Sequence, residues 1–167
     1  EEPSSWNVEL TEGRAADDAL GRVDRYELIE KLGQGAFGAV YRARDTVADI
    51  DVAIKALPSL IAHNAEELER VKKNFQLVSK LSHPNIAGMR HLHLSEQVTT
   101  QAEERLHVER GDYLVVMEYV PGSTLSAWRK QFQEGKVPVE QATEICRQVA
   151  AALDYAHGQK IIHRDIK

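Results

Sequence analysis

At 167 residues, with 43% hydrophobic and 28% charged side chains, the chain has the make-up of an ordinary globular protein. A formal net charge of -5 argues against a general nucleic-acid or anionic-membrane binder, which would carry a basic surplus. One cysteine, Cys146, excludes an intrachain disulfide, and no apolar run approaches the roughly 20 residues that cross a bilayer.

Residues 1–23 are acidic and polar, with Gly13, Asp17, Asp18 and Gly21 among them, and are read as a disordered leader. They lack the basic start and apolar stretch of a signal peptide, so a cytoplasmic setting is expected, with any membrane tether lying in segments outside this sequence. Tyr26 to Leu32 alternates like a strand with one buried face, a cluster of three glycines follows, and Ala39 to Arg44 reads as the returning strand. Val52 to Leu57 is a third strand, stopped by Pro58. From about Ala65 to Leu81 the period turns helical, with Leu68, Val71, Phe75 and Val78 on one stripe, until His83-Pro84-Asn85 breaks it. Ile86 to Leu94 and Tyr113 to Val120 are predicted strands. The polar stretch between them, 95–112, is a predicted hairpin loop or insertion. Two helices follow, Thr124 to about Gln133 and Val139 to His157, the second closed by Gly158.

Three short motifs carry chemistry. In Gly33-Gln34-Gly35-Ala36-Phe37-Gly38 the missing side chains let backbone approach a polyphosphate closely. The same spacing serves dinucleotide sites and plain hairpin turns, so alone it is weak. A dinucleotide site would open a helix at the third glycine, whereas Val40-Tyr41-Arg42 reads as strand. Ala53-Ile54-Lys55 sets an ammonium in an apolar strand; its plain alternative is a lysine facing solvent. His163-Arg164-Asp165-Ile166-Lys167 places a carboxylate two residues before an ammonium, so one can accept a hydroxyl proton while the other offsets phosphate charge. By itself that string is an everyday surface charge cluster.

In this order the motifs resemble those of the eukaryotic-type (Hanks-type) serine/threonine protein kinases over roughly residues 24–167. Supporting likenesses are Leu81-Ser82-His83-Pro84-Asn85-Ile86, Leu114 to Val120, and Asp154-Tyr155-Ala156-His157. The resemblance implies an α+β, bilobal kinase-like fold, truncated: a five-stranded antiparallel N-lobe sheet with one αC helix, then the first helices of the α-rich C-lobe. Its parts would be N-lobe and hinge at 24–120, with the insertion at about 95–112, and the start of the C-lobe at 121–167. It further implies ATP, with Gly33, Gly35 and Gly38 over the phosphates and Phe37 at the loop tip. Lys55 would bind the α- and β-phosphates, while Leu32, Val40 and Ala53 cover the adenine. Met117 would be the gatekeeper, with backbone groups of Glu118 and Val120 at the adenine edge. Asp165 would be the catalytic base, Lys167 would steady the transferred phosphoryl group, and Arg164 would meet an activation-loop phosphate. A lysine two residues past the aspartate resembles serine/threonine rather than tyrosine kinases, which implies protein substrates bearing Ser or Thr.

Two departures stand out. Family members carry a helix glutamate nine residues before the His of His-Pro-Asn, and here that place is Asn74. Glu67 and Glu69 lie nearby for recruitment by a shifted helix. The sequence also stops at Lys167, before the asparagine and Asp-Phe-Gly aspartate that hold Mg²⁺ in the family. No metal ligand is therefore assigned, and the stretch alone is expected to be inactive. A pseudokinase, a nucleotide-binding regulatory module, is the rival that Asn74 raises; a nicotinamide dinucleotide enzyme ranks third. His91 and His93 share one strand face but lack further ligands for a metal. Cys146, in a helical pattern, is expected as a small packing residue.

Overall fold

The structure is a computed structural model that describes residues 20–35, 38–57, 61, 63–106, 108–164 and 166. Among the described residues six strands, β1 Gly21–Val23, β2 Tyr26–Gly35, β3 Gly38–Asp45, β4 Ile50–Ala56, β5 Met89–Leu94 and β6 Tyr113–Glu118, form one antiparallel sheet in the order β1-β2-β3-β4-β6-β5. Among the described residues four helices accompany them: α1 Ala65–Val78, α2 Thr100–Leu106, α3 Leu125–Trp128 and α4 Val139–Gly158. The α+β kinase-like architecture expected from the resemblance is what forms, with one strand more than expected.

That extra strand is β1. Gly21, Arg22 and Val23 pair with Leu28, Glu27 and Tyr26, so ordered structure starts inside the stretch read as leader. Residues 1–19 fall outside the described residues. The signal was hidden because three residues give no measurable period. The sheet then rolls back on itself: Val23 bridges Val98, Asp24 N–H donates to the Gln97 carbonyl at 2.8 Å, and Thr99 N–H donates to the Arg22 carbonyl at 3.0 Å.

Strand alternation divides the sheet into two faces. Tyr26, Leu28, Tyr41, Ala43, Val52, Ile54, Leu114 and Val116 are buried on one of them, and Val23, Ala102 and Val108 complete this core. The stretch predicted as a hairpin loop or insertion is therefore not all loop. It folds as α2, and Ala102 is wholly buried against β1. Its base is closed by Ser95 Oγ donating to the Glu109 carbonyl (2.7 Å) and by Glu109 N–H donating to Asp112 Oδ2 (2.8 Å).

Helix α1 is capped by Asn64, whose Oδ1 accepts from the N–H groups of Glu66 and Glu67, both at 3.1 Å. It is shorter than the periodicity predicts, and Val71, Phe75 and Val78 lean on the sheet half-buried. The turn after it is tied to α4: Ser82 N–H donates to the Tyr155 hydroxyl (3.2 Å), the His83 and Tyr155 rings lie 5.3 Å apart, and Asn85 donates to Gln148 (3.2 Å). The segment 124–133 keeps only one helical turn, α3, then tightens into 3₁₀ turns at Arg129–Gln131 and Gln133–Gly135. Ala152 and Ala156 are the buried residues of α4, and Cys146 is exposed.

Candidate active site

The other face of the sheet carries the motif residues. Across adjacent strands Gly33 sits opposite Val40, Val40 opposite Lys55, and Lys55 opposite Val115. Two residues along, Ala53 lies opposite Met117. Residues directly opposite share a face, and residues two apart do as well. Val40, Ala53, Lys55 and Met117 are therefore neighbours on one surface, with Lys55 half-buried beside the glycine hairpin.

The hairpin itself is two strands: β2 runs to Gly35, β3 starts at Gly38, and the two glycines pair. No helix opens at Gly38, which removes the structural requirement of a dinucleotide site. Gly38 has φ +106, a conformation that L side chains rarely adopt. A Cβ added at Gly33 would meet nothing within 4 Å, so backbone there faces open space. Leu32, at the same edge, is 44% exposed, as a residue waiting to cover a ligand would be. Phe37 at the expected loop tip lies outside the described residues.

At the end of β6, Glu118 is held twice to one residue. Its N–H donates to the Gly88 carbonyl (2.7 Å), and its carboxylate accepts from the Gly88 N–H (2.9 Å). Val120 follows, exposed. On the same face, a cavity of about 310 Å³ separates β4 and β6 from α1, bordered by Lys55, Met89 and Met117 on one side and Val71, Asn74 and Phe75 on the other. Asn74, itself exposed, and Lys55 thus border one space. The two acids considered for recruitment are engaged along the helix surface instead: Glu67 with Arg70 at 2.8 Å and Glu69 with Lys72 at 3.1 Å.

Asp165 and Lys167 lie outside the described residues. Beside them Arg164 takes a left-handed backbone, φ 63, the kind of constrained geometry that collects at functional segments.

Sequence reasoning missed two polar assemblies. One is a charged ladder on the motif face: the Arg42 guanidinium meets Asp51 Oδ2 at 2.6 and 2.9 Å and Glu30 at 3.1 Å, and Arg44 reaches Asp51 and Asp49. Burial alone would raise the Asp51 carboxyl, but hydrogen bonds from Arg42 and Arg44 outweigh it and hold the group below the usual carboxylate range. The other lies at the β1–β2 turn. His93 Nε2 is 2.7 Å from Asp24 Oδ2, and His91 Nε2 is 2.7 Å from the Tyr26 hydroxyl. The shared strand face of the two histidines is thus used for these contacts. Among the described residues no three His, Cys, Asp or Glu side chains gather as metal ligands.

The chain matches the protein kinase domain over residues 26–167. It is 35% identical over 158 residues to the serine/threonine-protein kinase PksC of Streptomyces coelicolor, covering 93% of this chain and 26% of that one. To PrkC of Bacillus subtilis it is 33% identical over 143 residues, covering 86% and 20%. Among solved structures, the PknI kinase domain of Mycobacterium tuberculosis aligns with a TM-score of 0.64 at 25% identity, over 87% of this chain and 53% of that one. The chain therefore spans about a quarter or less of these curated relatives and about half of the solved domain. A match that opens on the first residue of β2 and runs through the His-Arg-Asp segment settles the ancestry of the fold: the chain belongs to the protein kinase family.

Proposed function

We propose that the protein of which this chain forms the kinase part is an ATP- and Mg²⁺-dependent protein serine/threonine kinase. The observation that carries the reading is the row Gly33–Val40–Lys55 across β2, β3 and β4, which puts a half-buried ammonium beside a glycine-rich hairpin. A triphosphate lying there meets backbone N–H groups and one positive charge at close range. Leu32, Val40 and Ala53 cover the adenine, Met117 limits its depth, and the Glu118 carbonyl with the Val120 backbone fixes its edge. Lys55 orients the α- and β-phosphates. The substrate hydroxyl forms a bond to the γ-phosphorus as the bond to the bridging oxygen breaks; ADP leaves, and the hydroxyl proton passes to Asp165. Lys167 holds charge on the transferred group. Mg²⁺, when bound, screens the phosphates, and no residue of this chain is assigned as its ligand.

The partners are then ATP and a protein bearing Ser or Thr. ATP supply and a lone exposed thiol, Cys146, support a cytoplasmic setting. Among the described residues no helix is long and apolar enough to cross a membrane. The domain division supported by the elements is a small lobe and hinge to about residue 120, with the large lobe starting at 121.

The second reading, a pseudokinase, is favoured by one observation, the neutral Asn74 facing the Lys55 cavity. Full-length protein assayed with radiolabelled ATP and casein, beside Asp165→Asn, separates the two. Transfer by wild type and at least a hundredfold loss in the variant is the expected result. Equal incorporation by both overturns the kinase reading, and nucleotide binding without transfer selects the pseudokinase.

A further inference from the structure

We propose that the Glu118 side chain is a positioning group for nucleotide recognition: its carboxylate takes the Gly88 N–H and so keeps that donor off the Glu118 carbonyl, leaving the carbonyl for the adenine amine. The inference rests on the nucleotide-site reading above and adds to it how the hinge acceptor stays available.

Strands β5 and β6 pair as far as Met89 opposite Met117, which makes Gly88 and Glu118 the next two residues across the ladder. A hydrogen-bonded antiparallel pair exchanges two bonds, each N–H donating to the other residue's carbonyl. Here one bond is of that kind: Glu118 N–H donates to the Gly88 carbonyl at 2.7 Å. The return bond is diverted. Gly88 N–H donates to Glu118 Oε2 at 2.9 Å, so the side chain serves where the carbonyl would have. A carboxylate is the stronger acceptor for a backbone N–H, and that decides the competition. The oxygen lies close against bare backbone, since a Cβ at Gly88 would stand 3.4 Å from it. The segment that carries Gly88 is also held from its other end. Ser82 N–H donates to the Tyr155 hydroxyl and Asn85 Nδ2 donates to Gln148 Oε1, both at 3.2 Å and both on α4.

An exposed glutamate that caps a spare strand-end amide is an everyday feature. This one differs in which amide it takes, because the regular partner of the Gly88 N–H is the hinge carbonyl itself. Without the side-chain acceptor, the N–H returns to the Glu118 carbonyl and completes the ladder. The ligand's amine then meets an acceptor already engaged, at a poorer angle and with less to gain. The effect is confined to ligands that bring such an amine.

The test uses full-length protein with Glu118→Ala and Glu118→Gln. Calorimetric titration gives Kd for ATP and for purine riboside 5′-triphosphate, which lacks the exocyclic amine. Wild type should bind ATP about fivefold more tightly than the analogue, the size expected for one neutral hydrogen bond. Glu118→Ala should lose most of that preference, weakening ATP about fourfold and leaving the analogue within about twofold of wild type. Glu118→Gln keeps an oxygen for Gly88 and should match wild type with both nucleotides. A merely structural role would weaken both nucleotides alike. Unchanged ATP affinity in Glu118→Ala, equal losses for the two nucleotides, or a glutamine variant as weak as alanine overturns the proposal while leaving the kinase reading intact. So does a wild type that binds the two nucleotides equally, a measurement that needs no variant to fold. A wild type that binds neither overturns both.

Discussion

The guanidinium carbon of Arg42 lies 4.9 Å from the centre of the Tyr119 ring, which ties the middle of β3 to the hinge that leaves β6. The same guanidinium is fixed from below by Asp51 and Glu30, so its plane is set before it meets the ring. A cation over an aromatic face, with two of its N–H groups donating to one carboxylate oxygen, is a rigid link. Replacing Arg42 by Ala should cost about 1–2 kcal/mol of stability, more than an exposed pair would, because Arg42 and Asp51 are each about three-quarters covered. It should also loosen the hinge and raise KM for ATP a few-fold with little change in kcat. Urea unfolding and steady-state kinetics check both parts. Arg42→Lys should recover little, since an ammonium makes no fork to Asp51.

Gly21 tests whether the insertion is part of the small lobe. Its φ is +145, and a Cβ there would lie 2.6 Å from the Ala102 backbone nitrogen and 2.7 Å from the Ala102 Cβ. Neither contact can be relieved by a rotamer change, because both belong to the body of α2. Gly21→Ala should therefore destabilise the fold by about 2–3 kcal/mol through overpacking and backbone strain. Hydrogen exchange should quicken first in residues 95–112. Exchange that is unchanged in that segment would mean that α2 is not anchored by β1.

The glycine hairpin, the strand lysine and the hinge were legible because each is a short-range pattern tied to a strand, and strand register then fixes their mutual placement. Asn74 was found by counting from His83-Pro84-Asn85, and the cavity it borders gives that count a physical setting. What stayed hidden was long-range pairing. Val98 pairs with Val23, 75 positions away in the chain, and nothing in a polar insertion announces which strand it will close on. Arg42, Arg44, Asp49 and Asp51 read as ordinary exposed charges, and only the β3–β4 register stacks them into a ladder.

Asp24 is the post to which the insertion is fastened. It sits in the left-handed region, φ 49, and its carboxylate accepts from Gln97 N–H at 2.7 Å and Glu96 N–H at 3.1 Å, while His93 lies at 2.7 Å. Burial would raise its titration, but these hydrogen bonds prevail and hold it below the usual carboxylate range. Asp24→Ala removes every one of them and leaves backbone donors under partial cover. A loss of about 2–3 kcal/mol is expected. Asp24→Asn keeps an acceptor and tolerates a positive φ, so it should fall in between. Equal stability of the alanine and asparagine variants would show that the acceptor is idle.

His91 gives the fold a dependence on pH whose sign can be stated. Burial disfavours the imidazolium, and the nearby charge of Arg25 adds to this, with His93 and Arg90 acting the same way and Asp45 opposing; His91 therefore titrates below its ordinary value. The Tyr26 hydroxyl already accepts from Arg25 Nε at 3.0 Å, so its own proton is available to a neutral His91 Nε2, which lies 2.7 Å away. An unfolded chain takes up the proton near pH ~6.5, whereas the folded chain resists it until the medium is more acidic. Protons thus bind preferentially to the unfolded state across that interval. The contribution of His91 is complete above about pH 6.5 and is lost as pH falls toward the folded value. Lowering pH from about 7.5 to about 5.5 should depress Tm in wild type. His91→Gln, which keeps a side-chain acceptor for Tyr26 but cannot take a proton, should show a smaller depression over the same range, whatever its starting Tm. Parallel Tm curves for the two proteins would mean that acid acts elsewhere, and that the Tyr26–His91 contact survives protonation by letting the imidazolium donate to the phenol oxygen.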